Sequence, residues 1–456
     1  MSPEDIGSEP LPEDFQWVNK LISTAYDKVS PKLGKRIAHL FVGEWVHVED
    51  KSNPDWVKGS FRGGEGYVRK TELGDKNYLE IYFLDVGQGD SILIQTADNR
   101  RVLIDGGADD AAHSFLEYKY DLDENPKVFD AVILTHGDKD HSWGLFNILK
   151  NPNVIVRNVY HNGIYKIGDE NMGRTKKLKK GTMLIDTYSD VNELEPIMGN
   201  LLATYRKWCD AVNTARENAK KHNIDLKCIR ADHRTPPFKL GADGISLKFL
   251  GPINFGSEKS PRLLKYGNAG ETINGNSVSI MLEYKQARAL LCGDLNNFAE
   301  AEMKKRHRVR DLRANLFKAN HHGSQHFTTQ FLGAVRPWVT VVSSGDLPDY
   351  GHPRANLMGS LGRYAPTKIK KPLLFSTELA ATFKRLPKAE QKKAGVQLYE
   401  KNTEGIIYVR TDGSWLAAGR VYAKKEPKAG EVETSWKWEA YAFNLETAKP
   451  LYYKLT

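Results

Sequence analysis

Apolar runs that alternate with helical stretches mark the chain from residue 78 onward. A first run covers residues 79–94, and a second, 101–107, follows it at short range. A third run, 131–134, is followed by a helical pattern. Later apolar runs cover residues 154–160, 245–250, 277–284, 289–292 and 339–343. This alternation predicts an α/β domain built on buried strands.

The regions on either side of this domain have different patterns. Apolar residues recur at helical spacing within 1–35 and predict a short helical arm; they are Phe15, Val18, Ile22 and Tyr26. Residues 36–75 hold short β-type runs between turn residues, which predict a small all-β barrel. Residues 416–456 carry further β-type runs and predict a β-rich C-terminal extension.

The alternation of strands and helices stops over residues 164–235, which we interpret as a helical insertion. It begins with a basic cluster at 174–180 and continues into a long helical pattern through Leu202, Tyr205 and Trp208. The basic cluster suits contact with a phosphate backbone. A solvated helical excursion explains the same pattern and is the more frequent case.

Composition narrows the class of protein. The chain has 456 residues, and its hydrophobic content of 40% is ordinary for a soluble globular protein. No stretch reaches the roughly 18 apolar residues of a membrane helix. The first 15 residues are acidic and Pro-rich, unlike a signal peptide, and favour a cytoplasmic protein without membrane contact.

The cysteines and the net charge bear on cofactors and partners. Only three cysteines occur, without a CxxC spacing, so neither a disulfide framework nor a thiolate zinc site is indicated. Any metal must therefore be held by histidine and carboxylate. The net charge of +9 is compatible with an anionic partner but is also common on solvated surfaces.

The loop that follows the apolar run 131–134 carries the clearest chemical signal. His136, Asp138, Asp140 and His141 place four potential metal ligands within six residues. A buried strand delivers them to its own end, where α/β proteins build their sites. Imidazole with carboxylate suits zinc, manganese or iron better than calcium.

Three later segments repeat this arrangement. Asp294 follows the apolar run 290–292, the pair His321 and His322 follows residues 316–319, and His352 lies in a Gly-His-Pro sequence. Each has an ordinary alternative as a turn or surface group. Together they place a histidine or aspartate near the carboxyl ends of successive strands.

These motifs, with residues 83–91 and the Leu-Ile-Asp-Gly-Gly stretch ending at Gly107, resemble the metallo-β-lactamase superfamily. Within it they are most similar to the hydrolase domain of ComEC-type DNA-uptake proteins. The resemblance covers residues 78–415, interrupted by 164–235, and implies a four-layer αββα sandwich with metals at one edge. Residues 36–75 resemble a bacterial SH3-like domain.

The resemblance implies a role for each ligand. His136 and Asp138 would face a first metal, and Asp140 and His141 a second. Asp294 would bridge both ions, since a carboxylate can offer one oxygen to each. His322 is the favoured second-site ligand, with His321 at its side. The implied group that orients a ligand from outside the metal shell is Asp105.

Two departures from the superfamily pattern are informative. Asp138 stands where a histidine is usual, and the stretch ending at Asn276 and Ser277 replaces another expected histidine. With oxygen ligands in place of imidazoles, the first site should bind zinc less firmly and accept manganese more readily, and it can stand empty. We therefore expect two divalent metals, zinc or manganese, in unequal sites.

Phosphoester hydrolysis by a hydroxide held between the metals fits this ligand set best. Asp140 would also orient the attacking water. Candidates to bind a phosphate or protonate the leaving oxygen are Lys318, Ser324 and His352, although Lys318 also reads as an ordinary surface lysine.

Three hypotheses follow. The first is a nuclease or phosphodiesterase that acts on DNA, RNA or a nucleotide. The second is a small-molecule hydrolase of the same superfamily, such as a cyclic-nucleotide phosphodiesterase. The third is a binding scaffold that engages a protein partner through the SH3-like domain, and intact ligand motifs argue against it.

Overall fold

The computed structural model describes most of the chain: residues 14–32, 34–61, 64–120, 122, 125–345, 351–369, 372–377, 383–385, 399–401, 405–422 and 437–455. Within these residues no helix combines the length and apolarity needed to cross a membrane. The predicted domains are therefore considered over these ranges, and residues 1–13 lie outside them.

The N-terminal region is a seven-stranded antiparallel sheet with the strand order β3-β2-β6-β5-β4-β1-β7. Its strands are β1 (Phe15–Val18), β2 (Ile22–Tyr26), β3 (Arg36–Phe41), β4 (Trp45–Asp50), β5 (Trp56–Phe61), β6 (Gly64–Arg69) and β7 (Leu73–Gly74), with a short 3-10 turn at Lys70–Glu72. The all-β character predicted for 36–75 is present; the SH3-like assignment stays a prediction.

The helical arm predicted over residues 1–35 is wrong in its described part. Strand β1 pairs with β4 and β7, and strand β2 pairs with β3 and β6, so both belong to the N-terminal sheet. The spacing from Phe15 to Tyr26 fits a helix, but it equally fits two strands that a turn at Asn19–Leu21 separates. Pairing with strands later in the chain decides between them.

The described residues from 78 onward form two large sheets, three small ones and eight α-helices. The remaining strands are β8 (Leu79–Phe83), β9 (Ile92–Gln95), β10 (Arg101–Ile104), β11 (Lys127–Phe129), β12 (Ala131–Ile133), β13 (Val154–Val156), β14 (Asn158–His161), β15 (Thr175–Leu178), β16 (Gly181–Leu184), β17 (Lys227–Arg230), β18 (Phe238–Leu240), β19 (Ile245–Gly251), β20 (Leu263–Leu264), β21 (Ser279–Tyr284), β22 (Ala287–Leu291), β23 (Leu316–Lys318), β24 (Val339–Val342), β25 (Leu373–Ser376), β26 (Phe383–Arg385), β27 (Tyr399–Lys401), β28 (Ile407–Thr411), β29 (Trp415–Tyr422), β30 (Lys437–Asn444) and β31 (Pro450–Leu455). The α-helices are α1 (Ala111–Tyr120), α2 (Lys139–Lys150), α3 (Ala203–Lys221), α4 (Ala269–Gly275), α5 (Asn297–Arg306), α6 (Val309–Leu312), α7 (Thr329–Val335) and α8 (Ala355–Tyr364). Two further 3-10 segments are Val191–Asn200 and Asn320–Gly323.

Two sheets packed face to face form the centre of the main domain. One has ten strands in the order β17-β14-β12-β10-β9-β8-β28-β29-β30-β31, and the other has seven in the order β18-β19-β21-β22-β23-β24-β25. Buried residues from both sheets, among them Phe83, Ile133, Leu247 and Ile280, share one apolar cluster. This cluster is the interior of the sandwich.

Helices cover the outer faces of both sheets. Leu116 of α1, Leu145 of α2 and Trp208 of α3 pack on the ten-stranded sheet, and Met303 of α5 and Phe331 of α7 belong to the cluster behind the seven-stranded sheet. The four layers are therefore helix, sheet, sheet and helix. The predicted αββα fold of a metallo-β-lactamase is confirmed.

The segment predicted as an insertion, 164–235, is only partly helical. Helix α3 is present, and its Trp208 is buried with 1% of its surface exposed. Strand β17 pairs in parallel with β14 and so belongs to the ten-stranded sheet. The basic cluster at 174–180 lies in the β15–β16 hairpin and not on a helix.

The C-terminal strands are continuous with the main domain. Strand β28 pairs with β8 and β29, and β30 and β31 extend the same sheet, so the region predicted as an appended extension completes the sandwich. The Trp438 indole stacks on Phe41 with ring centroids 4.7 Å apart and donates to the carbonyl of His39 at 2.8 Å. These contacts join the N-terminal sheet to the hydrolase-like fold.

Candidate metal centre

Strand β12 and helix α2 supply the first ligand loop. The chain leaves β12 through Thr135 and places His136 in the interior, with 0% of its surface exposed. Helix α2 starts at Lys139 with Asp138 at its N-cap position, and the Asp138 side chain makes no capping hydrogen bond. Its carboxylate therefore remains available to the site.

The seven-stranded sheet supplies the facing ligands. After β22 the chain turns at Gly293, whose φ of 57° is left-handed, and a Cβ there would lie 2.8 Å from Thr135 Oγ1. Glycine is needed at this close approach, which brings Asp294 against the His136 loop. After β23, His321 and His322 both adopt left-handed backbone angles, with φ of 49° and 50°. This tight turn directs His322 inward.

Three side chains from these loops lie close to His322 Nε2. His322 Nε2 lies 3.1 Å from Asp294 Oδ2, 3.2 Å from Asp140 Oδ2 and 3.3 Å from His141 Nε2. His141 Nε2 is also 3.3 Å from Asp294 Oδ1. Two imidazole nitrogens and two carboxylates thus face each other around a volume suited to a cation.

The other nitrogen of each imidazole has a different partner. His141 Nδ1 lies 2.8 Å from Asp105 Oδ2, and His322 Nδ1 lies 2.9 Å from the carbonyl oxygen of Ser343. Asp105 also accepts from the backbone and hydroxyl of Thr135 at 2.7 and 2.6 Å. Acceptors on the Nδ1 side favour the proton there and leave each Nε2 lone pair for a metal.

The two residues predicted for the first metal lie next to this group. The rings of His136 and His141 have centroids 4.1 Å apart, and His136 Nε2 is 3.7 Å from Asp138 Oδ2. Asn276 is buried, and its amide nitrogen donates to the carbonyls of Leu264 and Thr272 at 3.0 and 2.7 Å. Its backbone carbonyl also accepts from Asn162 at 3.2 Å.

Asp90 was not assigned a role from sequence, yet it belongs to this cluster. Ligand atoms of Asp90, His141, Asp294 and His322 all lie within 4.8 Å of one another. Asp90 sits on the Nδ1 side of His322, with Nδ1 3.4 Å from its Oδ1, and it contacts the ammonium of Lys318. The Gly-Asp-Ser sequence after β8 was the available signal, but nothing local marked the aspartate as part of the site.

Lys318 is a buried residue, so the reading as a surface lysine is wrong. It is 0% exposed, and its ammonium contacts Asp90 and donates to the Gly293 carbonyl at 3.1 Å. Asp294 Oδ1 lies 3.7 Å from the same ammonium. In this position the Lys318 ammonium contacts carboxylates of the cluster, and its predicted role toward a substrate stays a prediction.

The remaining candidates are His321, His352 and Ser324. His321 Nε2 is 3.8 Å from Asp294 Oδ2, and its ring lies 6.1 Å from that of His352. With 27% of its side chain exposed, His321 is more accessible than the buried His322. Ser324 is buried, and its hydroxyl accepts from the backbone N–H of His326 at 3.3 Å.

Charge in the cluster follows from burial and from the neighbouring carboxylates. Burial opposes charge on His141 and His322, but the carboxylates, Asp294 first, outweigh it and raise the pKa of both well above the usual range. Burial and the neighbouring His141 lower the pKa of His136 to about 3. Burial, with Asp140 nearby, raises the pKa of Asp138 to about 6. The field of these carboxylates thus favours a cation.

Several buried polar atoms support a metal at this position. Among the described residues, His136 Nε2 and Asp294 Oδ1 are buried without any hydrogen-bond partner, and so is Asn276 Oδ1. An unsatisfied buried polar atom costs about 1–3 kcal/mol, which a coordinated ion would offset. The donor set of imidazole and carboxylate therefore fits a divalent metal.

The fold and the ligand cluster together define the class: the chain carries a metallo-β-lactamase superfamily domain. Residues 84–209 match the family described as the Metallo-beta-lactamase superfamily. The matched segment contains Asp90, Asp105 and the loop from His136 to His141, while Asp294 and His322 lie beyond it. No curated protein matches the chain.

Two solved structures have low-level similarity to this chain. A protein from Parabacteroides distasonis, described as a metal-dependent hydrolase, is 11% identical with a TM-score of 0.29 and covers 65% of this chain and 92% of its own. Rm3 metallo-β-lactamase is 13% identical with a TM-score of 0.27 and covers 56% of this chain and 82% of its own. TM-scores this low carry no argument about this chain.

Proposed function

We propose that this protein is a metal-dependent hydrolase of phosphoester bonds, acting on nucleic acid or on a nucleotide. The observation that carries the proposal is the carboxylate-rich composition of the buried cluster. The carboxylates that lie within 3.7 Å of a histidine nitrogen in it are Asp90, Asp105, Asp138, Asp140 and Asp294. Three of them, Asp138, Asp140 and Asp294, are the ones proposed to hold the metals. Carboxylate ligands suit manganese or magnesium, the ions that most often serve phosphoryl chemistry.

The residues of the cluster would bind the metals and orient the attacking water. Asp140, His141, Asp294 and His322 would hold one divalent ion, and His136 with Asp138 would contribute to a second, with Asp294 between them. Bound metals supply Lewis-acid activation of water and neutralise charge on a phosphoryl group. Asp140 is the carboxylate placed to accept a hydrogen bond from the attacking water and so orient it.

The rim supplies donors for the substrate. His321 and His352 stand beside each other at the open side of the cluster, with ring centroids 6.1 Å apart. An imidazole N–H at this position can donate to a phosphoryl oxygen or to the leaving oxygen. Ser324 and Lys318 are less suitable, since both are buried and engaged with protein atoms.

Two exposed lysines on helices α2 and α3 favour a polyanionic substrate. Lys139 and Lys207 are exposed, and their ammonium groups lie 5.0 and 4.0 Å from the ring centroid of Trp143. Lys139 lies between Asp138 and Asp140 in the sequence, at the first position of helix α2. Positively charged grooves that contain aromatic side chains are typical of surfaces that bind single-stranded nucleic acid.

The β15–β16 hairpin carries further exposed positive charge. Arg174 is paired with Asp186 at 2.8 Å, so this charge comes from Lys176, Lys177, Lys179 and Lys180. Strand β16 of this hairpin pairs with β20, whose Leu264 carbonyl accepts from the buried Asn276. This strand pairing and this hydrogen bond connect the basic hairpin to the segment that contains Asn276.

The experiment offers the manganese- or zinc-loaded protein single-stranded DNA, duplex DNA, RNA and cyclic dinucleotides. We expect metal-dependent cleavage of at least one of them, and none by the Asp140→Ala variant. If the wild-type protein and Asp140→Ala behave alike on every substrate, the proposed hydrolase function is wrong.

Substitution of the lysines separates polymer from small-molecule substrates. We expect Lys139→Gln/Lys207→Gln to raise KM for polymers several-fold and to leave the hydrolysis of cyclic dinucleotides unchanged. The matched control, Lys220→Gln/Lys304→Gln, removes the same charge at exposed positions on α3 and α5. Cleavage of cyclic dinucleotides alone would favour the second candidate, a cyclic-nucleotide phosphodiesterase.

A further inference from the structure

The ion pair between Lys318 and Asp90 lies behind the metal ligands and is fully enclosed. Asp90 is 1% exposed and Lys318 is 0% exposed. A buried ion pair rarely improves stability over apolar residues of similar size, because removing both charges from water costs several kcal/mol. A pair in this position therefore calls for an explanation beyond stability.

Asp90, like Asp105, approaches the histidines from the side of their Nδ1 atoms. It lies 3.8 Å from His141 Nδ1 and 3.4 Å from His322 Nδ1, whereas Asp140 and Asp294 face the Nε2 atoms. One of its oxygens is nevertheless within 4.8 Å of the other ligand atoms. A small side-chain movement would bring it to a metal.

Lys318 opposes such a movement. Its ammonium contacts Asp90 directly, while the Gly293 carbonyl and Asp294 Oδ1 lie 3.1 and 3.7 Å away. These three partners fix the ammonium between the buried carboxylate and the bridging one. Any shift of Asp90 toward the metals would break a charge-assisted contact in a dry interior, where such contacts are strong.

The charge count agrees with this arrangement. The five carboxylates of the cluster and the one ammonium of Lys318 leave four negative charges, which two divalent ions would balance. Without Lys318 the cluster would carry one uncompensated charge more and one ligand more. A hydrolytic metal needs a coordination position open to water or substrate.

We propose that Lys318 is a positioning residue that withholds Asp90 from the metals and so keeps a coordination position open. The proposal rests on the metal-dependent function proposed above. Asp90 is a fifth carboxylate next to the metals, and the ammonium of Lys318 neutralises its charge. In this arrangement Asp90 and Lys318 act as a matched pair, and neither touches the substrate.

Metal affinity tests the proposal independently of activity. Mn²⁺ and Co²⁺ binding is measured by calorimetry on the metal-free protein, with the Co²⁺ absorption spectrum as a readout of coordination number. We expect Lys318→Met to bind metal roughly tenfold more tightly or better, equivalent to about 1.4 kcal/mol. Its Co²⁺ absorption should weaken, as expected when a ligand is added, and its phosphodiesterase activity should fall.

The double variant Asp90→Asn/Lys318→Met removes both charges together and is the matched control. We expect its metal affinity and Co²⁺ spectrum to return to within about threefold of wild type. Because it leaves no unpaired buried charge, it also tests the idea if Lys318→Met fails to fold.

Three results would overturn the proposal. Metal binding by Lys318→Met equal to that of wild type would mean that the lysine does not restrain Asp90. Weaker metal binding by Lys318→Met would mean that the lysine supports the ligands in place. Binding by the double variant at least tenfold weaker than wild type would mean that Asp90 is itself a ligand. The expected metal binding by both variants, with no cleavage of any phosphoester by the wild type, would instead refute the proposed function.

Discussion

Asp105 shows how one carboxylate outside the metal shell organises the centre. It receives three hydrogen bonds, from Thr135 N, Thr135 Oγ1 and His141 Nδ1, at 2.7, 2.6 and 2.8 Å. The first two fix the carboxylate, and the third fixes the His141 ring. The orientation of a metal ligand thus depends on a residue that is itself 0% exposed.

We predict that Asp105→Asn weakens metal binding by about 10- to 100-fold while the fold is retained. The asparagine amide has one acceptor oxygen where the carboxylate has two, so it can accept fewer of the three hydrogen bonds. His141 then loses the contact that fixes its tautomer. Metal competition against a chelator measures the affinity, and Asp169→Asn, at an exposed position, is the control. Unchanged affinity in Asp105→Asn would show that His141 is oriented by other contacts.

Glu300 is a buried acid near the His321–His322 turn that the metals do not use. Its carboxylate accepts from Asn320 Nδ2 at 2.8 Å and from the hydroxyl of Thr328 at 2.9 Å. Burial nevertheless dominates and raises the pKa of Glu300 from 4.5 to about 8. The folded protein therefore holds a proton here that the unfolded chain releases.

The pH dependence of stability follows from this shift. Between pH 4.5 and about 8 the folded state binds the extra proton, so Glu300 lowers the free energy of unfolding as the pH rises through that window. We predict that Glu300→Gln flattens this slope, since an amide does not titrate. Urea unfolding of the metal-free protein at pH 5, 6, 7 and 8 measures it.

Glu302→Gln on the same helix is the control, since its carboxylate is partly exposed and pairs with Lys305, and it should retain the wild-type slope. An equal slope for Glu300→Gln and wild type would contradict the prediction.

At the residue scale, sequence predicted the candidate ligands that belong to compact motifs. His136, Asp140, His141, Asp294 and His322 each follow an apolar strand, and the ends of adjacent strands meet at one sheet edge. The contact between Asp90 and Lys318 had no such signal. This contact depends on the side from which Asp90 and Lys318 approach the imidazole rings. That side is fixed only when the two sheets pack together.

At the scale of elements, helix α3 was predictable and the N-terminal strands were not. The α3 sequence repeats apolar residues over five turns, so that Tyr205, Trp208 and Val212 share one buried face. The pattern from Phe15 to Tyr26 covers too few residues to separate a helix from two short strands. Strands β1 and β2 pair with β4 and β6, which lie further along the chain, so the local sequence does not indicate this pairing.

Helix α3 also reaches the metal loop. A Cβ on Gly137 would lie 2.5 Å from the hydroxyl of Tyr205, so this helix backs the loop that carries His136 and Asp138. Trp208, one turn further on, anchors the same helix in the core. The segment first interpreted as an insertion therefore supports the ligands.

We predict that Trp208→Ala lowers the free energy of unfolding by about 3–5 kcal/mol, since it leaves a large cavity under α3. Because α3 backs the ligand loop, metal affinity should fall as well. Thermal unfolding with and without manganese measures both effects. Glu217→Ala, on the exposed face of α3, is the control, and equal stability of the two variants would contradict the prediction.

At the scale of the whole molecule, the N-terminal sheet is attached through an aromatic contact remote in sequence from the metal centre. Phe41 stacks on Trp438, and Tyr408 packs on Trp438 with ring centroids 5.0 Å apart. Sequence showed two β-rich regions but not that they meet. Such contacts arise from tertiary packing and have no periodic signature.

We predict that Trp438→Ala loosens the N-terminal sheet. Amides of β3 should exchange with solvent sooner, and the free energy of unfolding should fall by about 3 kcal/mol. Hydrogen exchange measured by mass spectrometry provides the test. The control is Phe298→Ala, since Phe298 is 54% exposed, and it should leave β3 unchanged. Equal protection of β3 in both variants would show that other contacts hold the sheet.

The pairing of β8 with β28 has a consequence for the synthesis of this protein. Tyr82 and Arg410, joined by a 2.7 Å hydrogen bond across these strands, are 328 residues apart. While the chain emerges from the ribosome, β8 has β9 on one side and an open edge on the other until residues 407–411 arrive. An open, apolar strand edge is a template for pairing with other chains. A truncation that ended before β28 would keep every metal ligand and still yield a protein prone to aggregate.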